Sequence, residues 1–543
     1  MLTTVLRFGL DTASFENTLG ILNGTHQGHR SFWSAKTALR QTLAAMPRSL
    51  CGALIALALL STSSLGQKLG GPCPTSNSTN QIIPAISPDL ICLVPQVYGP
   101  GGLVGADNNG PLGSTNQSSA AFKHSVHFQA SSLASFSPLT TEIGTQISQI
   151  PITSPASGFI FSFNPSLGVV SETTQNFGPI LTERAETIGR HKPFVGVSYQ
   201  YFDFDRLDGV NLRNFGAVFH HEFEACPSPN PNNITCIVSN GKSVPAITQD
   251  FISTQNRIDL KVHQTTLVGT FGLTDRLDVS IAVPILDVRM DMTSDATIQS
   301  VEVTNPAIIP SCCVHRFNNL HPTSTEKELF PAIGAFAPPY YNHALFANAN
   351  SAFGVGDIVF RGKFHAWQGE KAGVAVGLDA RIPTGNEKDF LGSGTWGLRP
   401  FLAFSYLGRV SPHANVGLQV NGNSILAGDV TTDTKAQLPN VISYAAGADI
   451  GIIRRLSISA DFIGQALQNE KKISLATSVP DFTGGLHPDI SVSTATVNQD
   501  SIAIGGKVSP VGKLLITANI LFRVNDAGLH YKPAPLIGLS YTF

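Results

Sequence analysis

The chain has 543 residues, 50 of them Gly, with 13% charged residues and a formal net charge of −2. So few and so balanced charges leave no electrostatic footprint for nucleic acid. Beyond the N-terminal region there is no apolar run of about 18 residues, which excludes a readable transmembrane helix.

In chain order, the first clear element is MPRSLCGALIALALLSTSSLGQ, starting at Met46. Arg48 supplies a positive start, Leu50 to Leu60 an apolar stretch, and Ser64-Leu65-Gly66 the small residues of a cleavage site, so 46–66 is expected to be a signal peptide. Residues 1–45 have no place before such a signal and are expected to be a spurious or disordered extension. Export to an oxidising compartment makes Cys73, Cys92, Cys226, Cys236, Cys312 and Cys313 disulfide candidates, with Cys73/Cys92 and Cys226/Cys236 the natural neighbours. Residues 67–156 are rich in Ser, Thr, Asn, Pro and Gly with little periodicity and read as an irregular segment.

From 157 to 543 the pattern is almost purely period two. RLSISADFIG places Leu456, Ile458, Ala460 and Phe462 opposite Ser457, Ser459 and Asp461. LLITANILFRV places Leu514, Ile516, Ala518, Ile520, Phe522 and Val524 opposite Thr517, Asn519 and Arg523. LDVSIAVP alternates from Leu277 to Ile285. The phase then flips, with Val288, Met290 and Met292 apolar and Asp287, Arg289 and Asp291 polar. That flip marks either a β-bulge or a strand leaving the membrane. Candidate strands fall near 193–204, 209–223, 256–273, 276–292, 354–367, 372–382, 395–407, 411–423, 441–452, 455–467, 499–508, 512–525 and 535–543. Tight turns such as LTDR, QGEKAG, LGRVS, IIRR and SPVGK alternate with long loops near 224–250, 293–352, 424–440 and 468–498. The expectation is an all-β fold: an antiparallel outer-membrane β-barrel with short periplasmic turns and long extracellular loops. Bacterial barrels use even strand numbers, so a further strand in 157–190 is expected, giving about fourteen. Twelve follows if the first or a short candidate is miscounted. The closing strand, PLIGLSYTF, ends on aromatics, so Tyr541 and Phe543 are expected in the periplasmic girdle and as a signal to the outer-membrane assembly machinery.

Two strings are decoys. GSGTWG (Gly392 to Gly397) matches a nucleotide-binding pattern but precedes a strand rather than a helix. FHHEFE (Phe219 to Glu224) reads as a polar strand tip rather than a metal site. No catalytic residue, metal or cofactor is implied.

Charges that alternate with apolar residues inside strands cannot face hydrocarbon cheaply, at roughly 2–4 kcal/mol for a midplane Arg or Lys. Asp357, Arg361, Lys363, Asp379, Arg381, Arg399, His413, Asn415 and Gln419 are therefore expected to line the lumen, as a structural network, a solute route, or both.

The stretches FGPILTERAETIGRHKPFVGVSYQYFDFD, FGVGDIVFRGKFHAW, GVAVGLDARIPTGNEKDFLGSGTWGLRPFLAFSY and SPHANVGLQVNG resemble the outer-membrane proteins of the phenol-degradation meta-pathway family, also called simply transporters. The resemblance covers roughly 157–543. It implies a bacterial outer-membrane barrel related to channels for hydrophobic compounds and brings no catalytic residues. The expected function is a channel or transporter-like barrel passing small, hydrophobic or aromatic molecules, with outer-membrane lipid, the assembly machinery and a small-molecule solute as partners. The alternative is a non-transporting structural or surface-interaction barrel with a filled lumen.

Overall fold

The computed structural model describes residues 73, 87–99, 102–103, 128–154, 159, 161–164, 169–172, 176–220, 236–239, 242–245, 251–299, 317, 327–329, 341–480 and 484–543. All of them lie in one compact unit, residues 67–543. The expected signal peptide, the extension before it, Cys226, Cys312 and Cys313 fall outside the described residues. Cys236 begins the short strand Cys236–Ser239, and the pairing expected for it with Cys226 falls outside the described residues. Cys73 and Cys92 are disulfide-bonded with Cα atoms 5.3 Å apart, as the spacing suggested.

Twelve antiparallel strands close into a barrel. They are β1 (Pro193–Leu207), β2 (Phe251–Gly272), β3 (Leu277–Gln299), β4 (Tyr341–Val355 continuing as Ile358–Gln368), β5 (Ala372–Ile382), β6 (Gly397–Tyr406), β7 (Val410–Asn421), β8 (Asn440–Ile453), β9 (Leu456–Pro480), β10 (Leu486–Val508), β11 (Leu514–Arg523) and β12 (Ala534–Thr542). Each pairs with the next, and β12 returns to β1 through Leu536↔Gln200 to Thr542↔Phe194. Closure leaves no unpaired edge in hydrocarbon, which is why a barrel can cross a membrane and an open sheet cannot.

The alternation read from the sequence becomes an apolar outside and a polar inside. Val376 and Leu378 on β5, Leu398, Leu402 and Phe404 on β6, and Ile516, Ile520 and Phe522 on β11 are exposed, while Asp379, Ser405, Thr517 and Asn519 on the same strands are buried. A soluble protein would show the reverse. A closed barrel with this belt belongs in the bacterial outer membrane. Tyr541 and Phe543 both point outward at the turn end, their rings 4.8 Å apart, and the Phe543 backbone N–H donates to Pro193 O at 2.9 Å.

Fourteen strands is an overcount; the twelve-strand alternative is the observed one. The candidate at 209–223 is no separate crossing. Its Phe215–His220 part pairs with the loop end of β2 and stays beyond the membrane zone. The strand sought in 157–190 is not a barrel strand either. Phe161–Asn164 and Val169–Glu172 pair only with each other, and 176–190 is irregular. The long loop expected at 468–498 is strand: β9 and β10 continue as a paired hairpin up to Pro480↔Leu486.

The phase flip at Ile285 is not a bulge. The β2–β3 register runs unbroken from Phe251↔Gln299 to Gly272↔Asp278. Side-chain parity is constant, and only the surroundings change. Below Ile285 the outward residues are apolar and meet lipid. Above it Arg289 and Asp291 face water outside, while Val288, Met290 and Met292 are buried inside. The loop half of the barrel thus has an ordinary dry core, joined by Phe202, Phe204, Phe219, Leu260 and Phe346.

Among the described residues of 67–156, the stretch read as irregular, there are two helices: α1 (Leu90–Leu93) and α2 (Gln129–Ile147). The α2 sequence gave little sign of itself because it is buried on nearly every side rather than striped. Its hydroxyls bond carbonyls instead of water: Thr140 Oγ1 donates to Ile91 O at 3.1 Å, Thr141 Oγ1 to Ser137 O at 3.1 Å and Thr145 Oγ1 to Leu426 O at 3.0 Å.

Candidate functional site

The lumen is filled by the chain's own N-terminal stretch. Helix α2 sits in the loop half, against Leu426 and Phe390. Residues 148–154 then enter the barrel, first as a turn at 148–149 and then without regular structure. Gln149 Oε1 accepts from Gln419 Nε2 at 3.1 Å, Ser148 O from Arg381 Nη1 at 3.3 Å, and Pro151 O from Gln264 Nε2 at 3.2 Å. Thr153 and Ser198 share a hydroxyl hydrogen bond of 2.9 Å.

Residues 176–188 cross the turn end of the lumen. No barrel strand pairs with them, so most of their backbone groups are met by side chains, while Ile180 O accepts from Ser154 N at 3.0 Å. Asn415 does so as a β-strand neighbour would: its Oδ1 accepts from Glu183 N and its Nδ2 donates to Glu183 O, both at 2.7 Å. Ser457 Oγ accepts from Phe177 N at 3.0 Å, Ser405 Oγ from Ala185 N at 3.0 Å and Asp278 Oδ2 from Ile188 N at 3.0 Å. Two fully buried lysines hold the two ends. Lys507 Nζ donates to Phe177 O, Gly178 O and Pro179 O at 3.2, 2.9 and 2.6 Å. Lys363 Nζ donates to Arg184 O and Glu186 O at 3.1 and 2.8 Å.

The charged residues singled out from the sequence meet here. Asp379 receives both Arg361, with Nε at 2.6 Å and Nη2 at 2.8 Å, and Arg399, with Nε at 3.0 Å. Arg361 also bonds Glu183 of the crossing segment. Both guanidiniums lie over the Phe401 ring, at 5.0 and 5.8 Å. Arg381 Nη2 donates to Asn421 Oδ1 at 2.8 Å and its Nε lies 3.7 Å from Asp357. Asp357 in turn accepts from Gly385 N and Ser393 N, so it also ties the 383–396 loop to the barrel. His413 stands slightly apart, its Nε2 2.6 Å from Asp461 and 2.9 Å from Thr182 Oγ1. Sequence reasoning left out Lys507, Asp278, Asp449 and Asp461 as lumen groups. The alternation in SIAIGGKVSP and RLSISADFIG does place Lys507 and Asp461 on inward faces. Glu183, Arg184 and Glu186 carried no such signal, because an irregular segment has no period.

A cavity of about 210 Å³ remains between residues 147–154 and the wall. Arg361, Arg381 and Arg399 face it together with Glu183, Asp357 and Asp379, so its formal charges cancel.

Gly377 makes the Phe401 platform possible. A Cβ there would lie 2.2 Å from the Phe401 ring. Gly377→Val is therefore expected to displace the ring and lower stability by about 1–3 kcal/mol, the usual cost of overpacking. Urea unfolding of the variant beside Gly377→Val/Phe401→Ala checks this, because removal of the ring should recover part of the loss.

Residues 243–471 match the family whose description is "Putative MetA-pathway of phenol degradation", which bears out the resemblance drawn from the sequence. No curated protein matches the chain. Among solved structures, an outer-membrane channel from Pseudomonas putida F1 aligns with TM-score 0.37 at 10% identity, covering 67% of this chain and 99% of that one. A FadL homologue from Pseudomonas aeruginosa aligns with TM-score 0.27 at 10% identity over 65% and 90%. The toluene transporter of Ralstonia pickettii aligns with TM-score 0.22 at 10% identity over 65% and 90%. The strand order and closure described above stand on this chain's own pairings.

Proposed function

We propose that this outer-membrane barrel, matched over 243–471 to the phenol-degradation family, passes small uncharged molecules, aromatic ones among them, and that the described arrangement is its closed state. The observation that carries the proposal is the way the lumen is filled. Two stretches of chain, 148–154 and 176–188, occupy it, held to the wall by hydrogen bonds and ion pairs, with only small apolar clusters around Phe177, Ala185 and Ile188. Such contacts exchange with water, so the stretches can be withdrawn without unfolding the barrel. The charge-balanced cavity supports an uncharged solute, since it offers no net field to hold an anion or a cation. The family's tie to phenol breakdown supports an aromatic one.

Osmotic swelling of proteoliposomes tests this, with small uncharged aromatics compared to sugars of similar size and empty liposomes subtracted. Faster swelling with the aromatics is expected. Rates equal to empty liposomes for every solute, in wild type and in plug-released variants alike, would refute passage and leave a structural barrel.

A further inference from the structure

The turn end of the barrel carries a ring of exposed cations. Arg190 precedes β1, Arg276 closes the β2–β3 turn, Lys371 the β4–β5 turn and Arg409 the β6–β7 turn, while Arg454 and Arg455 form the β8–β9 turn. The exposed carboxylates on these turns are only Asp275 and Glu370. Among the described residues none of the six cations is ion-paired; Arg409 Nε and Arg455 Nη1 instead donate to the carbonyls of Gly451 and Pro510, at 3.2 and 3.4 Å. The loop end is built differently. There Arg206 pairs with Asp526 at 2.7 Å, Arg213 with Asp203 at 2.7 Å, Lys532 with Asp203 at 2.7 Å and Arg289 with Asp287 at 2.7 Å. Low overall charge makes the contrast sharper: among the described residues, these exposed cations stand unpaired at one rim and most are paired with carboxylates at the other.

The position of the ring identifies what it faces. Each turn follows directly on the outward apolar belt. Trp367, 55% exposed, lies four residues before Lys371, and Tyr406, 38% exposed, lies three before Arg409. Ile453, 64% exposed, adjoins Arg454. Aromatic girdles mark the level of lipid headgroups, so the cations sit where headgroup phosphates lie. With short turns on the periplasmic side, that is the inner leaflet of the outer membrane.

We infer that this ring binds the phosphates of anionic phospholipids, of the phosphatidylglycerol kind, in the periplasmic leaflet, and so fixes the depth and tilt of the barrel. The inference is independent of the transport reading. Arginine suits the task, because its fork meets phosphate oxygens in pairs.

The test reconstitutes the barrel in bilayers of phosphatidylcholine with a minority of phosphatidylglycerol, then releases it gently and weighs the co-retained lipid by native mass spectrometry. Severalfold enrichment of phosphatidylglycerol is expected. It should fall toward the bulk ratio in high salt and in the Arg409→Gln/Arg454→Gln/Arg455→Gln variant, and persist in the loop-end variant Arg206→Gln. Heat-modifiable gel mobility reports whether each variant is folded; if the triple variant is not, the salt dependence of the wild type decides. Retention at the bulk ratio, enrichment insensitive to salt, or enrichment unchanged in the folded triple variant would overturn the inference. So would selective retention of lipid A over phosphatidylglycerol through the same arginines in a parallel bilayer to which lipid A is added, which would place the turns in the other leaflet.

Discussion

Replacing Lys363 and Lys507 together by methionine is expected to turn a nearly silent barrel into a conducting one. Methionine keeps most of the volume but cannot donate to the carbonyls of Phe177, Gly178, Pro179, Arg184 and Glu186 that the two ammonium groups now satisfy. Lys363 also lies 3.7 Å from Glu183, whose other oxygen meets Arg361, so its removal unbalances the charge network as well. Removing one member of a buried charged pair commonly costs about 3–5 kcal/mol. About 3 kcal/mol on the closed state alone would raise the open-to-closed ratio about a hundredfold. The barrel's own pairing is untouched, so heat-modifiable mobility should stay native while planar-bilayer conductance rises. Unchanged conductance in a folded double variant would mean that the crossing segment is fixed by other contacts.

The second large effect concerns pH. Helix α2 carries Glu142, fully buried, into a group with Asp208 from the turn after β1 and Glu470 from the part of β9 beyond the barrel rim. Lys471 faces the same group, its Nζ donating to Thr141 Oγ1 at 3.2 Å and Gly428 O at 2.9 Å, and Asp429 lies nearby. Burial, then the neighbouring Asp208 carboxylate, pushes the Glu142 carboxyl well above the usual carboxylate range. Burial pushes Glu470 up to about 8, with Lys471 opposing and Asp208 reinforcing the shift. Folded carboxyls with raised pKa hold protons that the unfolded chain has already released. The contribution of these carboxyls is therefore greatest below the ordinary Glu value of 4.5 and declines as pH rises, for Glu470 toward about 8. At about 1.4 kcal/mol per pH unit, the loss amounts to several kcal/mol localised at α2. Hydrogen exchange over 129–147, corrected for intrinsic rates, should show α2 better protected at mildly acid pH than at pH 9. Glu470→Gln should flatten the dependence. Protection that is constant, or that increases with pH, would contradict this account of the cluster.

The barrel was legible in the sequence because lipid imposes a strict local rule. Every second residue from Val376 to Ile382 or from Ile516 to Phe522 has to be apolar, and the inward Asp379 or Asn519 is conspicuous by contrast. The same rule placed Asp379, Arg361 and Arg399 on facing strands, where they meet. It failed where lipid is absent. At 209–223 the run Phe215–His220 is indeed strand, but it lies above the membrane with Phe215 to Phe219 all buried, so counting strands by period alone added one too many. At Ile285 the pattern inverted with no change in backbone, because the strand passes from hydrocarbon into water and its two faces exchange surroundings. The plug was the least legible part. Its place is set by single side chains from β3, β4, β6, β7, β9 and β10 reaching 176–188, contacts across up to 330 positions that leave no periodic trace.

The claim that passage requires withdrawal of 148–154 and 176–188 is tested most directly by tying the chain in place. Thr153 and Ser198 already touch through their hydroxyls at 2.9 Å, so Thr153→Cys/Ser198→Cys can join the plug to β1. In the Lys363→Met/Lys507→Met background, solute flux through proteoliposomes should be high under reducing conditions, fall to the level of empty liposomes on oxidation, and return on reduction. Equal flux with the tether closed and open, once mass spectrometry confirms the bond, would contradict the account.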